Sequence, residues 1–210
     1  QDPESLIICN GYKDAAFIRI ALLGCKLSKK VVIVAEKLEE LEQTIRAAKE
    51  VGVEPYIGVR VRLYSKGSGK WAPSGGENAK FGLDTTSLVA ASEMLKAAGL
   101  AHCLKLIHFH VGSQVPDIST IKRAVREAAR YYAKIAKLGH ELGYLDVGGG
   151  LGVDYDGSRS DFDSSANYSL QEYANDVVWN IMDVCDSEGV PHPAIVNEGG
   201  RAIVAHHSVL

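Results

Sequence analysis

Short β-branched apolar runs alternate with longer amphipathic stretches along the whole 210-residue chain. The strand candidates are Leu6 to Asn10, Val31 to Ala35, Tyr56 to Leu63, Leu104 to His110, Leu145 to Val147 and Ala194 to Asn197. Between them, Asp14 is placed to cap a helix ending at Gly24, and Leu38, Leu41, Ile45 and Ala48 form an apolar stripe closed by Gly52. Asp84 precedes a helix with Leu88, Ala91, Leu95 and Ala98 on one side, closed by Gly99. Asp117 precedes one with Ile121, Val125, Ala128, Tyr132 and Ile135, and a last helix with Leu170, Tyr173, Val177, Ile181 and Val184 stops at Gly189. Strict alternation of this kind predicts parallel strands with helices packed outside them. Two folds satisfy it, a (β/α)8 barrel and an open doubly wound sheet. A barrel takes about 250 residues and eight strands, so six candidates leave the chain about two strands short of one.

The 46% hydrophobic and 23% charged composition is that of a globular domain with a real core, and one domain over residues 1–210 is expected. A net charge of -3, with Lys and Arg spread along helices, gives no case for nucleic acid or an anionic membrane as partner. A small anion needs only a local pocket and stays possible. No apolar run approaches the ~20 residues that span a bilayer. The opening QDPESLIICN is acidic where a signal peptide would be basic, which points to the cytoplasm. Cys9, Cys25, Cys103 and Cys185 lie far apart without a C-x-x-C pair and read as free thiols in a reducing compartment. The segment SKGSGKWAPSGGENA, Ser65 to Ala79, is either a solvated connection or a mobile active-site loop.

Three strand ends carry the chemistry. In DVGGGLGVDY, residues 146–155, Gly148, Gly149 and Gly150 follow a strand. A loop without Cβ atoms lets backbone N–H groups converge on an anion such as phosphate, although a tight turn would also explain it. The dinucleotide and P-loop versions fail: Val153 stands where G-x-G-x-x-G wants its last glycine, and Gly69-Lys70-Trp71 lacks the Ser or Thr of a Walker motif. N-E-G-G-R, Asn197 to Arg201, puts an acid and an arginine around two more glycines. In barrels the loops after strands seven and eight commonly hold phosphate; if these two ends are those loops, the last two strands are the seventh and eighth and the missing ones the first and second. In H-F-H-V-G-S, alternation places His108 and His110 on one face with Leu104 and Leu106, and His110 at the strand's end opens to the site. A glycine cradle, a histidine ring, the carboxylate of Glu198 and an arginine suit pyridoxal 5′-phosphate, the acid keeping the pyridine nitrogen protonated. The acidic run from Asp154 lacks the glycine and glutamate positions of an EF-hand and reads as solvated loop charge, and His206-His207 has no partner spacing for a metal.

The set C-N-G-Y-K-D (Cys9 to Asp14), G-V-R-V-R-L (Gly58 to Leu63), G-K-W with S-G-G-E and K-F-G-L (Gly69 to Leu83), H-F-H-V-G-S-Q, D-V-G-G-G-L-G-V-D-Y-D-G and E-G-G-R-A resembles the biosynthetic arginine decarboxylases over essentially the whole chain. These are relatives of the ornithine and diaminopimelate decarboxylases. The resemblance implies an alanine-racemase-type PLP-binding TIM barrel, here partial at about strands 3 to 8, and conversion of L-arginine to agmatine and CO2 in polyamine synthesis. It implies that His110 stacks on the cofactor ring, that Ser113, Gly148, Gly149, Gly150, Gly200 and Arg201 surround the phosphate, and that Glu198 meets the ring nitrogen. Arg60 neighbours Glu198 or the cofactor, with Arg62 at the same parity. Lys80 resembles a residue near a subunit interface, so a homo-oligomer is expected, and magnesium is often associated with the family. Gly199 departs from the usual Ser or Pro. The Schiff-base lysine belongs on the first strand and the substrate-contacting cysteine and aspartate on a C-terminal β domain, both outside residues 1–210, so the segment alone is expected to be inactive. Lys13 reads as a solvated loop charge, and Lys105 points away from the barrel interior. The rivals are a decarboxylase of ornithine, lysine or diaminopimelate and a non-catalytic regulatory homologue.

Overall fold

The computed structural model describes residues 5–65 and 81–206. Six strands, β1 (Leu6–Cys9), β2 (Lys30–Ala35), β3 (Tyr56–Arg60), β4 (Leu104–His108), β5 (Tyr144–Asp146) and β6 (Ala194–Val196), form one all-parallel sheet. Their spatial order is their chain order, β1-β2-β3-β4-β5-β6. A doubly wound sheet reverses direction at a switch point. This one never does, and repeated right-handed crossovers then put every helix on the same side. The two faces differ accordingly. Val32, Val34 and Leu106, with Leu6, Ile8, Tyr56 and Tyr144 beside them, make a small inner cluster. The outer face is covered by α1 (Ala15–Lys26), α2 (Leu38–Val51), α3 (Thr85–Ala97), α4 (Ile118–Lys137) and α5 (Leu170–Glu188), over a much larger core. A short α6 (Gly200–Val204) follows β6. The sheet curls far enough for Asn10, at the tip of one edge strand, to donate from Nδ2 to Glu198 Oε1 beyond the other. This is a partial (β/α)8 barrel.

The caps follow the sequence. Asp14, Asp84 and Asp117 accept the N–H groups of Phe17, Ser87 and Ser119, and Gly52 and Gly189 end α2 and α5 in the left-handed region. Ser169 and Glu172 add a reciprocal capping box at α5.

Four expectations need correction. Gly24 does not end α1, which runs two residues further. A Cβ there would come 3.0 Å from Val31 Cγ2, so the glycine serves close packing of helix on strand. The third strand ends at Arg60, not Leu63, because the N–H of Arg62 turns to Leu83 O at 2.9 Å and Val61 bridges Leu83. The fourth ends at His108, not His110, and a register shift between Ile57 and Gly58 breaks its alternation: Leu104 packs in the outer core with Ile107 and Phe109 while Leu106 faces inward. Finally, Lys13 is no solvated charge. It is 6% exposed and stands 3.6 Å from Glu40 Oε2. Lys80 and nearly all of the Ser65–Ala79 segment lie outside the described residues.

Candidate functional site

Parallel register lines up the strand tips. Arg60 stands opposite His108 and His108 opposite Asp146, so these three form a row across β3, β4 and β5. One step further along the chain come His110, the glycines and Glu198. A Cβ built on Gly149 would lie 3.4 Å from His110 Nε2 and 3.0 Å from Glu198 O, which brings the three motifs found in the sequence to one place.

The row beneath is buried and charged. Asp146, fully buried, accepts the Gly148 N–H on Oδ1 at 2.9 Å and holds Oδ2 3.0 Å from His108 Nδ1. His108, Asp146 and Glu198 each place a ligand-type atom within 4.8 Å of the others. His108 Nδ1 and Asp146 Oδ2 face each other across this cluster, both buried and neither making a hydrogen bond. Arg60 NH1 donates to Glu36 Oε1 at 3.0 Å, its guanidinium carbon lying 5.3 Å from the Phe81 ring centre. Its charge acts on both His110 and Glu198. Arg62 goes elsewhere, donating to Gly82 O at 3.3 Å. The shared parity of the two arginines dissolves because the strand stops between them.

His110 stands at the tip of the row, and its Nδ1 accepts the Gly112 N–H at 3.1 Å. Burial, reinforced by the Arg60 guanidinium and His108, pushes the imidazole down to about 4, so the ring is neutral and carries its proton on Nε2. Glu198 is shifted upward by burial and by the neighbouring Asp146, against His108, the Asn10 amide and Arg60.

The run from Gly148 to Gly150 has two jobs. Gly148 and Gly150 adopt φ of +65° and +103°, and a Cβ would strike Phe109 O at 2.3 Å and Gly112 O at 2.6 Å. Both are glycine because the turn lies against the segment after β4. The Gly148 N–H is spent on Asp146, and the Gly200 N–H on Glu198 O at 2.8 Å. Among the described residues the N–H groups of Gly149 and Gly150 make no hydrogen bond, and three polar side chains are linked to one another beside them. Arg201 NH2 donates to Ser113 Oγ at 3.3 Å and NH1 to Tyr155 OH at 3.2 Å. Arginine, two hydroxyls and bare amides are a donor set matched to phosphate. A flat neutral imidazole and a carboxylate beside it suit a protonated aromatic ring.

Several contributors escaped the sequence reading. Tyr155 lay in the quoted D-Y-D-G without a role, and Asn10 likewise in C-N-G-Y-K-D. Gln114, at φ +51°, clamps the loop after β4 to the loop after β5: Oε1 accepts the Val153 N–H at 3.0 Å, and Nε2 donates to Val153 O at 2.7 Å and Ser165 O at 3.2 Å. Within the acidic run Asp156 is held down to about 2 by hydrogen bonds from Ser164 and Ser158, making an ordered loop rather than free charge. His206 rests on Tyr155 with ring centres 5.4 Å apart.

A one-sided parallel α/β barrel sheet with an anion- and ring-binding cluster at its strand tips defines the class. The chain belongs to the pyridoxal-dependent decarboxylases: residues 1–205 match the family's pyridoxal binding domain. It is 51% identical over 210 residues to the biosynthetic arginine decarboxylase of Bacteroides thetaiotaomicron and 54% identical over 209 to that of Rhodopirellula baltica, covering all of this chain and 33% and 31% of those proteins. It therefore spans about a third of the length of these curated relatives. A crystal structure of the biosynthetic arginine decarboxylase from Campylobacter jejuni superposes with a TM-score of 0.82 at 36% identity, over 95% of this chain and 32% of that one. The diaminopimelate decarboxylase of Helicobacter pylori, at 24% identity and a TM-score of 0.76 over 95% of this chain and 46% of its own, shares the fold.

Proposed function

We propose that the whole protein decarboxylates L-arginine to agmatine and CO2 for polyamine synthesis, and that this chain is its coenzyme-holding barrel segment. The supporting observation is that relatives at 51% and 54% identity, matched over the whole of this chain, carry the name biosynthetic arginine decarboxylase, while the strand-tip cluster has donors for a phosphate and an acceptor for a protonated ring nitrogen. That coenzyme, when bound, supplies an electron sink for the pair left on the substrate α-carbon as CO2 departs. The residues of this chain do the rest. Arg201, Ser113, Gly149 and Gly150 receive the phosphate, with Gly148 and Gly200 shaping the turns. His110 lies against the ring, and Glu198 holds the proton on the ring nitrogen. Arg60 opposes the upward pull of burial on Glu198, favouring its ionised form.

In this reading residues 1–210 form one incomplete barrel domain, completed by two further strands and a C-terminal β domain, in a cytoplasmic homo-oligomer. Magnesium rests on the resemblance alone, and no part of this reading uses it. No helix among the described residues is long and apolar enough to cross a membrane. The test is release of labelled CO2 from carboxyl-labelled L-arginine by the full-length protein, with ornithine, lysine and diaminopimelate as competitors. Preferred turnover of arginine, lost on the order of 100-fold or more in Glu198→Ala, is expected. Preference for another amino acid, or an unaffected Glu198→Ala enzyme, contradicts the reading.

A further inference from the structure

Lys13, Glu40, Glu36 and Arg60 form a connected chain in which two cations flank two carboxylates, the carboxylates being joined through the Glu36 backbone N–H. Glu40 lies in the first turn of α2 and is 5% exposed. Its Oε1 accepts the Lys13 N–H at 3.0 Å, and its Oε2 accepts the Glu36 N–H at 2.7 Å and faces Lys13 Nζ, which also donates to Gly11 O. One buried carboxylate thereby ties the segment after β1 to the segment after β2. Glu36 takes the next step. Its Oε1 accepts the Gly11 N–H at 3.0 Å and Arg60 NH1 at 3.0 Å. On its other side Arg60 meets Phe81, and a Cβ at Gly82 would come 3.1 Å from Arg60 Cγ, so the arginine is held from three directions. A surface pair would leave two long side chains free to wander. Here each charge is fixed by backbone N–H groups or by a neighbour of opposite sign.

We propose that Glu40, with Lys13 and by way of Glu36, is a positioning residue that holds the Arg60 guanidinium in place at the strand tips, where Arg60 stands opposite His108, two residues before His110. The titratable and charged groups acting on His110 are Arg60 from β3, His108 at the end of β4 and Asp146 from β5, with the Glu198 backbone beyond Gly149. Arg60 is the strongest cation among them, and only a neutral ring has a free Nδ1 lone pair for the Gly112 N–H. An uncharged imidazole is also the form that does not repel a protonated pyridine, a consequence that rests on the proposed function. The positioning itself does not, so it is tested without coenzyme.

The measurement is the protonation of His110, read from ring-nitrogen chemical shifts of the full chain between about pH 5 and 8. The unsubstituted protein is expected to keep His110 largely neutral throughout. Arg60→Met is expected to raise the midpoint by about one pH unit or more, and Glu40→Gln to raise it by a smaller amount. The decisive comparison is the double variant. If Glu40 works through Arg60, adding Glu40→Gln to Arg60→Met moves His110 no further. A full-sized additional shift, or no shift from Glu40→Gln in the presence of Arg60, overturns the proposal. Should Glu40→Gln lose its helical circular dichroism, Lys13→Met takes its place in the same cycle. Because His110 is read directly, a negative result here is distinguishable from a failure to decarboxylate arginine.

Discussion

Gly148 and Gly149 are neighbours with different constraints. At Gly148 both a positive φ and a backbone oxygen at 2.3 Å stand against a side chain, whereas Gly149 has an ordinary φ and its closest obstacle is Glu198 O at 3.0 Å. Gly148→Ala is therefore expected to cost more than about 2 kcal/mol of stability and Gly149→Ala less, as thermal melts of the two variants will measure. If Gly149→Ala proves the more damaging, the turn does not pack as described. His110 makes a second residue-scale statement. Its folded value of about 4 lies below the ordinary 6.5, so between those limits the unfolded chain binds the extra proton. The stability this group contributes is complete above pH 6.5 and is lost as the pH falls towards 4. His110→Asn should flatten that part of the stability profile, and an unchanged slope would place the acid sensitivity elsewhere.

At the scale of elements, local signals and long-range ones separate cleanly. All six strands and the three aspartate caps were legible because period-two apolar runs and N-cap residues act within a few positions. Asp84→Ala should cost about 1 kcal/mol at neutral pH. Hydrogen bonds from Ser87 hold the Asp84 carboxyl below its ordinary 3.8. Its stabilisation is thus present above that value and disappears as the pH drops through the lower folded one. Denaturant melts of the variant should converge with those of the parent in acid. Where the reading failed, a partner distant in sequence decided the outcome. Gly24 looked like a stop signal until Val31 of the next strand explained it, and Leu104 changed face because of a register shift against β3. Lys13 could be judged only with Glu40, 27 positions away, in view. The site divides the same way: His110, Glu198, the glycines and Arg201 announced themselves through motifs, while Asn10, Glu36, Asp146 and Gln114 act through pairings that no local pattern encodes.

For the molecule as a whole, consecutive strand order is the feature from which the site follows. It places α1 to α5 outside, leaves a small apolar inner cluster, and gathers the strand tips at one end of the sheet. Curling brings β1 close enough to β6 for Asn10 to engage Glu198, so the cluster depends on the full width of the sheet. Shortening β1 should then weaken coenzyme binding even though that edge supplies none of the phosphate donors. The most direct test is a crystal structure of the full-length protein with pyridoxal 5′-phosphate. The expected result places the phosphate among Gly149, Gly150, Ser113 and Arg201, the ring against His110 and its nitrogen at Glu198. A coenzyme bound away from this cluster, or with the phosphate and ring nitrogen exchanged, would contradict the account.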